Sequence, residues 1–269
     1  MENAVKGSWD YVWRPDGVVY YEKLGKGEPL IFLHHIELGG WIWKRVIDKF
    51  AEHFTCYNIS HPGVDHSDTP PRKYSMDDYA KAFIDVMDKL GIGQANIIGS
   101  HGGCVMAVAM AVNYPRRVKK LVFDGLPYWD ERRGRIVFEQ HWMPTYTDTT
   151  WCDIPVPALR SWEEASKTNP TLDREYFELS QAGLRKTRRW YRLSAEALTS
   201  YDVEAAGPKI RAPVLMVHGE TDLLRRGEQR ALEGIKGAVL KVVAGCSAPF
   251  WEKPEEATKL ALEFLLARR

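Results

Sequence analysis

The sequence predicts an α/β fold, with a mostly parallel central sheet flanked by helices and an inserted helical segment. Three observations lead there. Short β-branched or aromatic runs alternate with stretches of helical periodicity, which argues for a parallel sheet covered on both faces. One apolar run, Ala95–Ile98, passes through Gly99-Ser100-His101-Gly102-Gly103 into an alanine-rich helix over Cys104–Asn113, stopped by Pro115. Between Leu126 and Gly207 strand signals disappear and tryptophans accumulate.

Taken in order, Val18–Tyr21, Leu30–His34 and Phe54–Ile59 read as strands. Ser75–Leu90 reads as a helix with Tyr79, Phe83, Val86 and Leu90 on one face, and Ser75 with Asp78 resembles an N-terminal capping pattern. Lys120–Phe123, Val214–Val217 and Leu240–Val243 are further strands, and a helix is expected over about Glu255–Ala267. Residues 1–125 and 208–269 are expected to form the core, and 126–207 an inserted helical cap. Trp129, Trp142, Trp151, Trp162 and Trp190, with the loop Ile154-Pro155-Val156-Pro157, fall in that cap. Most of these tryptophans are expected to pack beneath it, and a few to face a pocket.

The 269 residues carry 37 Lys plus Arg against 36 Asp plus Glu, a net charge of +1, without the basic excess of a nucleic-acid binder. Apolar residues make up 45% of the chain, enough for a sizeable core. No apolar run approaches the roughly 18 residues of a membrane span, and MENAVKGSWDYVW lacks the apolar centre of a signal peptide. Cys56, Cys104, Cys152 and Cys246 are far apart with no CxxC pair, so they read as reduced, mostly buried thiols of a cytoplasmic protein. No cofactor or metal motif is present. A small-molecule substrate is the expected partner, with a homodimer left open.

A strand, a glycine-rich turn and a helix can bind phosphate or present a nucleophile. GSHGG matches neither GxGxxG nor a Walker sequence. The flanking motifs decide the matter. Pro29–Trp43, PLIFLHHIELGGWIW, is similar to an oxyanion loop written LLHGxxxxxxxW, and Ser60–Asp68, SHPGVDHSD, to a DxPGxGxSD loop. Leu90–Pro115 looks like a nucleophile strand, elbow and helix. Ala212–Leu223, APVLMVHGETDL, looks like a strand ending in an acid, and Ala244–Pro254, AGCSAPFWEKP, like a loop that carries a catalytic histidine. Five motifs in this order resemble the α/β-hydrolase family over nearly the whole chain.

The departures from that family bear on chemistry. The elbow is G-x-nucleophile-x-G because a strained turn needs small neighbours. That register places His101 where the family has Ser, Asp or Cys. The other register makes Ser100 the nucleophile, but it puts Ile98 where a small residue is needed. At the usual histidine position stands Ser247, with one residue missing around Gly245–Ser247, so Ser and His are exchanged. Asp222 matches the acid. The resemblance therefore implies a set of His101, Ser247 and Asp222, with the amides of Ile36 and Gly102 as oxyanion donors. His35 replaces the oxyanion-loop glycine, Ser60 the usual Asp, and Asp124 follows a strand where some family members carry their acid. Ser100, His35 and Asp124 are secondary candidates.

Neutral imidazole is itself nucleophilic and titrates near working pH. His101 could attack a carbonyl, or act as general base on water or on a substrate proton, with Ser247 orienting its ring. A swapped dyad would have Ser247 attack instead. The leading expectation is hydrolysis of a small apolar or aromatic ester, lactone or carbon–carbon substrate. The alternatives are a lyase, cyclase or cofactor-free oxygenase using His101 as base, and a catalytically silent ligand-binding protein. Blander roles remain for single residues: Asp222 as a turn cap, His61 and His66 as structural or surface groups, His141 as solvent- or pocket-facing, His218 and Cys104 as packing.

Overall fold

The computed structural model describes residues 7–36, 38–142, 161–168 and 172–267. Eight strands form one sheet in the order β1-β2-β4-β3-β5-β6-β7-β8. They are β1 (Ser8–Arg14), β2 (Gly17–Leu24), β3 (Glu28–Leu33), β4 (Phe54–Ile59), β5 (Ala95–Ser100), β6 (Val118–Asp124), β7 (Val214–Gly219) and β8 (Val239–Val243). β2 pairs antiparallel with β1 and with β4, and every other pairing is parallel.

Alternation along the strands sorts side chains into two apolar layers. Ile31 and Leu33 face one layer with Ile97, Leu121 and Phe123, while Leu30 and Phe32 face the other with Ile98 and Val122. Both layers are buried, so the central strands read as continuous apolar runs.

The first layer is covered by α2 (Met76–Lys89) and α3 (Gly102–Asn113), the second by α1 (Ile47–Ala51), α9 (Pro249–Glu252) and α10 (Pro254–Leu266). α8 (Glu228–Gly234) lies between β7 and β8 in the chain. α2 starts on a full capping box, Ser75 with Asp78, as the sequence suggests.

Between β6 and β7 the described residues form α4 (Glu131–Val137), α5 (Trp162–Thr168), α6 (Arg174–Thr199) and α7 (Val203–Ala206), with no strand among them. The start of α6 is fastened to the core. Arg45 pairs with Asp173 at 3.0 Å and Glu175 at 2.9 Å and stacks over Trp251 at 3.8 Å. Tyr176, Trp41 and Trp251 meet edge to face, with ring centroids 5.4–5.5 Å apart. Of the tryptophans in this stretch, Trp129 and Trp190 are buried and Trp162 is half-buried. Trp151, Cys152, residues 154–157 and the side chains of Trp142 and His141 lie outside what is described.

Candidate active site

The chain reverses direction at His101. β5 ends at Ser100, α3 begins at Gly102, and His101 holds φ 46°, ψ −106° between them, a region L-residues rarely occupy. Its backbone is fixed on both sides: His101 N donates to Asp124 O at 2.9 Å, and Cys104 N donates to His101 O at 2.9 Å. A Cβ on Gly99 would stand 2.7 Å from Gly103 backbone, and one on Gly103 2.2 Å from Leu33 O. The two outer glycines are thus required by close approach of backbone. Ser100 remains in the strand and is 1% exposed.

The strand ends bring the candidates together. Ser100 is level with Asp124, and Asp124 with Val217, across parallel β5, β6 and β7. His101 Nε2 lies 3.7 Å from Asp222 Oδ2; the imidazole is 34% exposed and the carboxylate 5%. The imidazole is therefore reachable while its carboxylate partner is shielded. Burial pushes the Asp222 carboxyl up, but His101 and the Leu224 amide outweigh it and hold it below the usual range. Asp222 also caps a turn, its Oδ1 accepting from Leu224 N at 2.8 Å, so both readings of this residue hold at once. Gly125, at φ +66°, leaves the gap for this contact: a Cβ there would be 2.6 Å from Asp222 Oδ2 and 2.7 Å from His101 Nε2.

Ser247 shares the cavity but not the contact. The cavity measures about 530 Å³ and is lined by His101, Ser247, Trp251, Tyr176, Leu172 and Asp173, among others. The Ser247 and Ala248 amides both donate to Glu252 Oε1, at 3.0 and 2.8 Å, and Thr221 N donates to Cys246 O at 3.0 Å. These bonds pin the loop. Ser247 is exposed, and among the described residues its hydroxyl has no hydrogen-bond partner. The role expected for it, orienting the His101 ring, has no hydrogen bond behind it among the described residues. The acid lies 3.7 Å from the turn histidine, within ion-pair reach but beyond hydrogen-bond distance.

The three secondary candidates form a buried chain. His35 Nε2 is 2.9 Å from Ser100 Oγ, and Ser100 Oγ is 2.6 Å from Asp124 Oδ2. The His35 ring stacks against His101 with centroids 4.1 Å apart and planes 21° apart. Burial raises the Asp124 carboxyl to about 6, against the lowering pull of His101 and Ser100. Among the described residues its second oxygen, Oδ1, has no hydrogen-bond partner.

His34 and His61 are the residues that sequence reasoning underrated. Their rings stack at 4.3 Å, and both nitrogens on offer point at one carbonyl, His35 O, from His34 Nδ1 at 2.6 Å and His61 Nε2 at 3.1 Å. Burial pushes each imidazole down to about 3, so both are neutral, and two contacts compete at His34 Nδ1: His35 O at 2.6 Å and the Gly39 N–H at 3.2 Å. The His35–Ile36 peptide is trans, so the Ile36 N–H on the same peptide points away from that carbonyl. It lies beside Gly102, where a Cβ would be 3.4 Å from Ile36 N. No local motif announces this clamp, because its partners are 26 residues apart in sequence.

The remaining candidates take structural places. His218 is buried on β7, and its Nε2 accepts from Leu126 N at 3.3 Å. His66 packs against Tyr20, and Ser60 donates to Asp65 at 3.3 Å. Cys56, Cys104 and Cys246 are free and buried. Burial raises the Cys56 thiol to about 12 and the Cys246 thiol to about 11, so neither is a thiolate near neutrality. Among the described residues no cluster of His, Cys, Asp and Glu could hold a metal ion, and no helix is long and apolar enough to cross a membrane.

Comparison with known proteins agrees with this architecture. The chain is 26% identical over 286 aligned residues, 94% of its length and 93% of the relative's, to a 2-hydroxy-6-oxo-6-phenylhexa-2,4-dienoate hydrolase of Comamonas testosteroni. An enol-lactonase from Burkholderia xenovorans LB400 superposes with a TM-score of 0.76 at 16% identity, covering 96% of this chain and 100% of that one. An E-2-(acetamidomethylene)succinate hydrolase gives 0.77 at 18% identity, covering 97% and 100%. The family model described as alpha/beta hydrolase fold matches residues 28–253. With that match spanning most of the eight-stranded sheet, the chain belongs to the α/β-hydrolase fold family.

Proposed function

We propose that this protein is a hydrolase of small, mainly apolar or aromatic esters, lactones or carbon–carbon substrates, with His101 as its working base. The observation that carries this reading is the approach of His101, which lines the cavity, to the buried Asp222 carboxylate at 3.7 Å. The carboxylate orients the imidazole and stabilises the imidazolium that forms when it takes a proton. His101 then activates a water molecule, which attacks the substrate carbonyl. The developing oxyanion is held by the Ile36 and Gly102 amides, the first aimed by the clamp on His35 O. Helices α4–α7 act as a cap over the site, and Tyr176 with Trp251 supplies an aromatic wall. The named activities of the relatives, carbon–carbon and enol-lactone hydrolysis, support the substrate class.

A second reading has His101 take a proton from carbon without hydrolysis. The observation favouring it is the burial of Ser100, which leaves no hydroxyl nucleophile at the turn. A panel of p-nitrophenyl esters, aryl lactones and vinylogous 1,5-diketones separates the two. Hydrolysis gives acid products that incorporate oxygen from labelled water. Solvent deuterium entering unreacted diketone, with no cleavage product, would instead establish proton abstraction.

A further inference from the structure

The imidazole of His35 stands where neither the ester nor the carbon-acid chemistry of His101 uses it, yet it is the group stacked on the base. It is 7% exposed and cannot meet substrate freely. Its Nε2 joins, through one serine hydroxyl, a carboxyl group that is 5% exposed and whose second oxygen has no hydrogen-bond partner among the described residues.

We propose that Asp124, Ser100 and His35 form a proton wire that discharges His35 as His101 becomes charged, making His35 a positioning residue for the reaction. The two heavy-atom distances, 2.9 and 2.6 Å, serve either direction of donation. In one form His35 carries a proton on both ring nitrogens, its Nε2–H donates to Ser100 Oγ, and Ser100 Oγ–H donates to the Asp124 carboxylate. In the other Asp124 Oδ2–H donates to Ser100 Oγ, and Ser100 Oγ–H donates to the bare His35 Nε2. Two hops convert the first into the second: the Nε2 proton passes to Ser100 Oγ, and the hydroxyl proton passes to Asp124 Oδ2. No proton is gained or lost.

The first form places a positive ring against His101 and suits a neutral base. The second removes that charge and suits an imidazolium, because two stacked cations 4.1 Å apart repel strongly in a partly buried site. Asp124 is poised for the exchange, since burial favours its protonated form. The other titratable groups around the wire are Asp222 beyond His101, His218 on β7, Glu252 on α9, Cys104 on α3 and the His34–His61 pair behind His35 O. None of them bridges His35 to Asp124.

This role of His35 rests on the reading of His101 as the working base, but the wire has its own observable. Histidine ring-nitrogen NMR across a pH titration reads each imidazole separately. The expected result is reciprocal: His35 loses its Nε2 proton over the interval in which His101 gains one. Ser100→Ala abolishes the reciprocity while His101 still titrates, and His35→Phe keeps the stack but leaves only the His101 step of the pair. On any ester that the parent turns over, Ser100→Ala lowers kcat on the order of tenfold with little change in KM. A His35 ring whose protonation stays constant through the His101 titration, or reciprocity that survives in Ser100→Ala, would overturn the wire. Absence of ester turnover in the parent would instead count against the hydrolytic reading, and the spectra would still decide the wire.

Discussion

A histidine at φ 46° is held against its own backbone preference by two hydrogen bonds and by glycines that let the backbone close in. Such a conformation costs about 1–3 kcal/mol. His101→Gly is therefore expected to raise the thermal midpoint while removing activity, a stability–function trade measurable by calorimetry beside an ester assay. Gly125→Ala tests the same site from the other side. Its Cβ would fall within 2.6–2.7 Å of both Asp222 Oδ2 and the His101 ring, at a positive φ. The variant is expected to lose both stability and turnover, since the pair must separate to admit the methyl group.

At the scale of elements, the turn and its flanking strands were legible because glycine spacing and apolar runs are local signals. The Ala95–Ile98 run extends to Ser100 in the structure, and the helix begins at Gly102. β1 was not legible. Its sequence, SWDYVWR, leaves Trp9, Tyr11 and Trp13 exposed and buries only Val12. As an edge strand it carries little of the burial pattern that marks a core strand.

The candidate site divides the same way. His101 and Asp222 follow from motif position, and the structure brings them together. Ser247 follows from motif position too, but how a loop is pinned depends on contacts such as Glu252 to the Ser247 and Ala248 amides, which no spacing rule reports. Ser247→Ala is accordingly expected to keep kcat/KM within about twofold of the parent, and a far larger loss would return Ser247 to the working set.

At the scale of the whole molecule, buried titratable groups shape stability against pH. His34 and His61 are pushed by burial down to about 3 from an ordinary 6.5. The unfolded chain therefore binds protons that the folded chain refuses, and stability present above pH 6.5 is lost as pH falls toward 3. His61→Phe is expected to be less stable at neutral pH, having lost its bond to His35 O, but to show a shallower acid limb in denaturant titrations.

Asp124 acts with the opposite sign. Its carboxyl is raised from 3.8 to about 6, so its stabilising protonation is full below about pH 4 and lost as pH rises through 6. The difference corresponds to about 3 kcal/mol. Asp124→Asn should gain stability relative to the parent across that interval, and a constant difference between them would show that Asp124 does not titrate there.

The central claim is that the histidine in the turn, backed by Asp222, performs the chemistry. The most direct measurement is kcat/KM for an activated aryl ester near pH 8, parent against His101→Ala, with folding checked by circular dichroism. General-base catalysis contributes typically 10²–10⁴-fold, and a loss on that order in the folded variant is the result this account predicts. Turnover that persists undiminished in folded His101→Ala would contradict it.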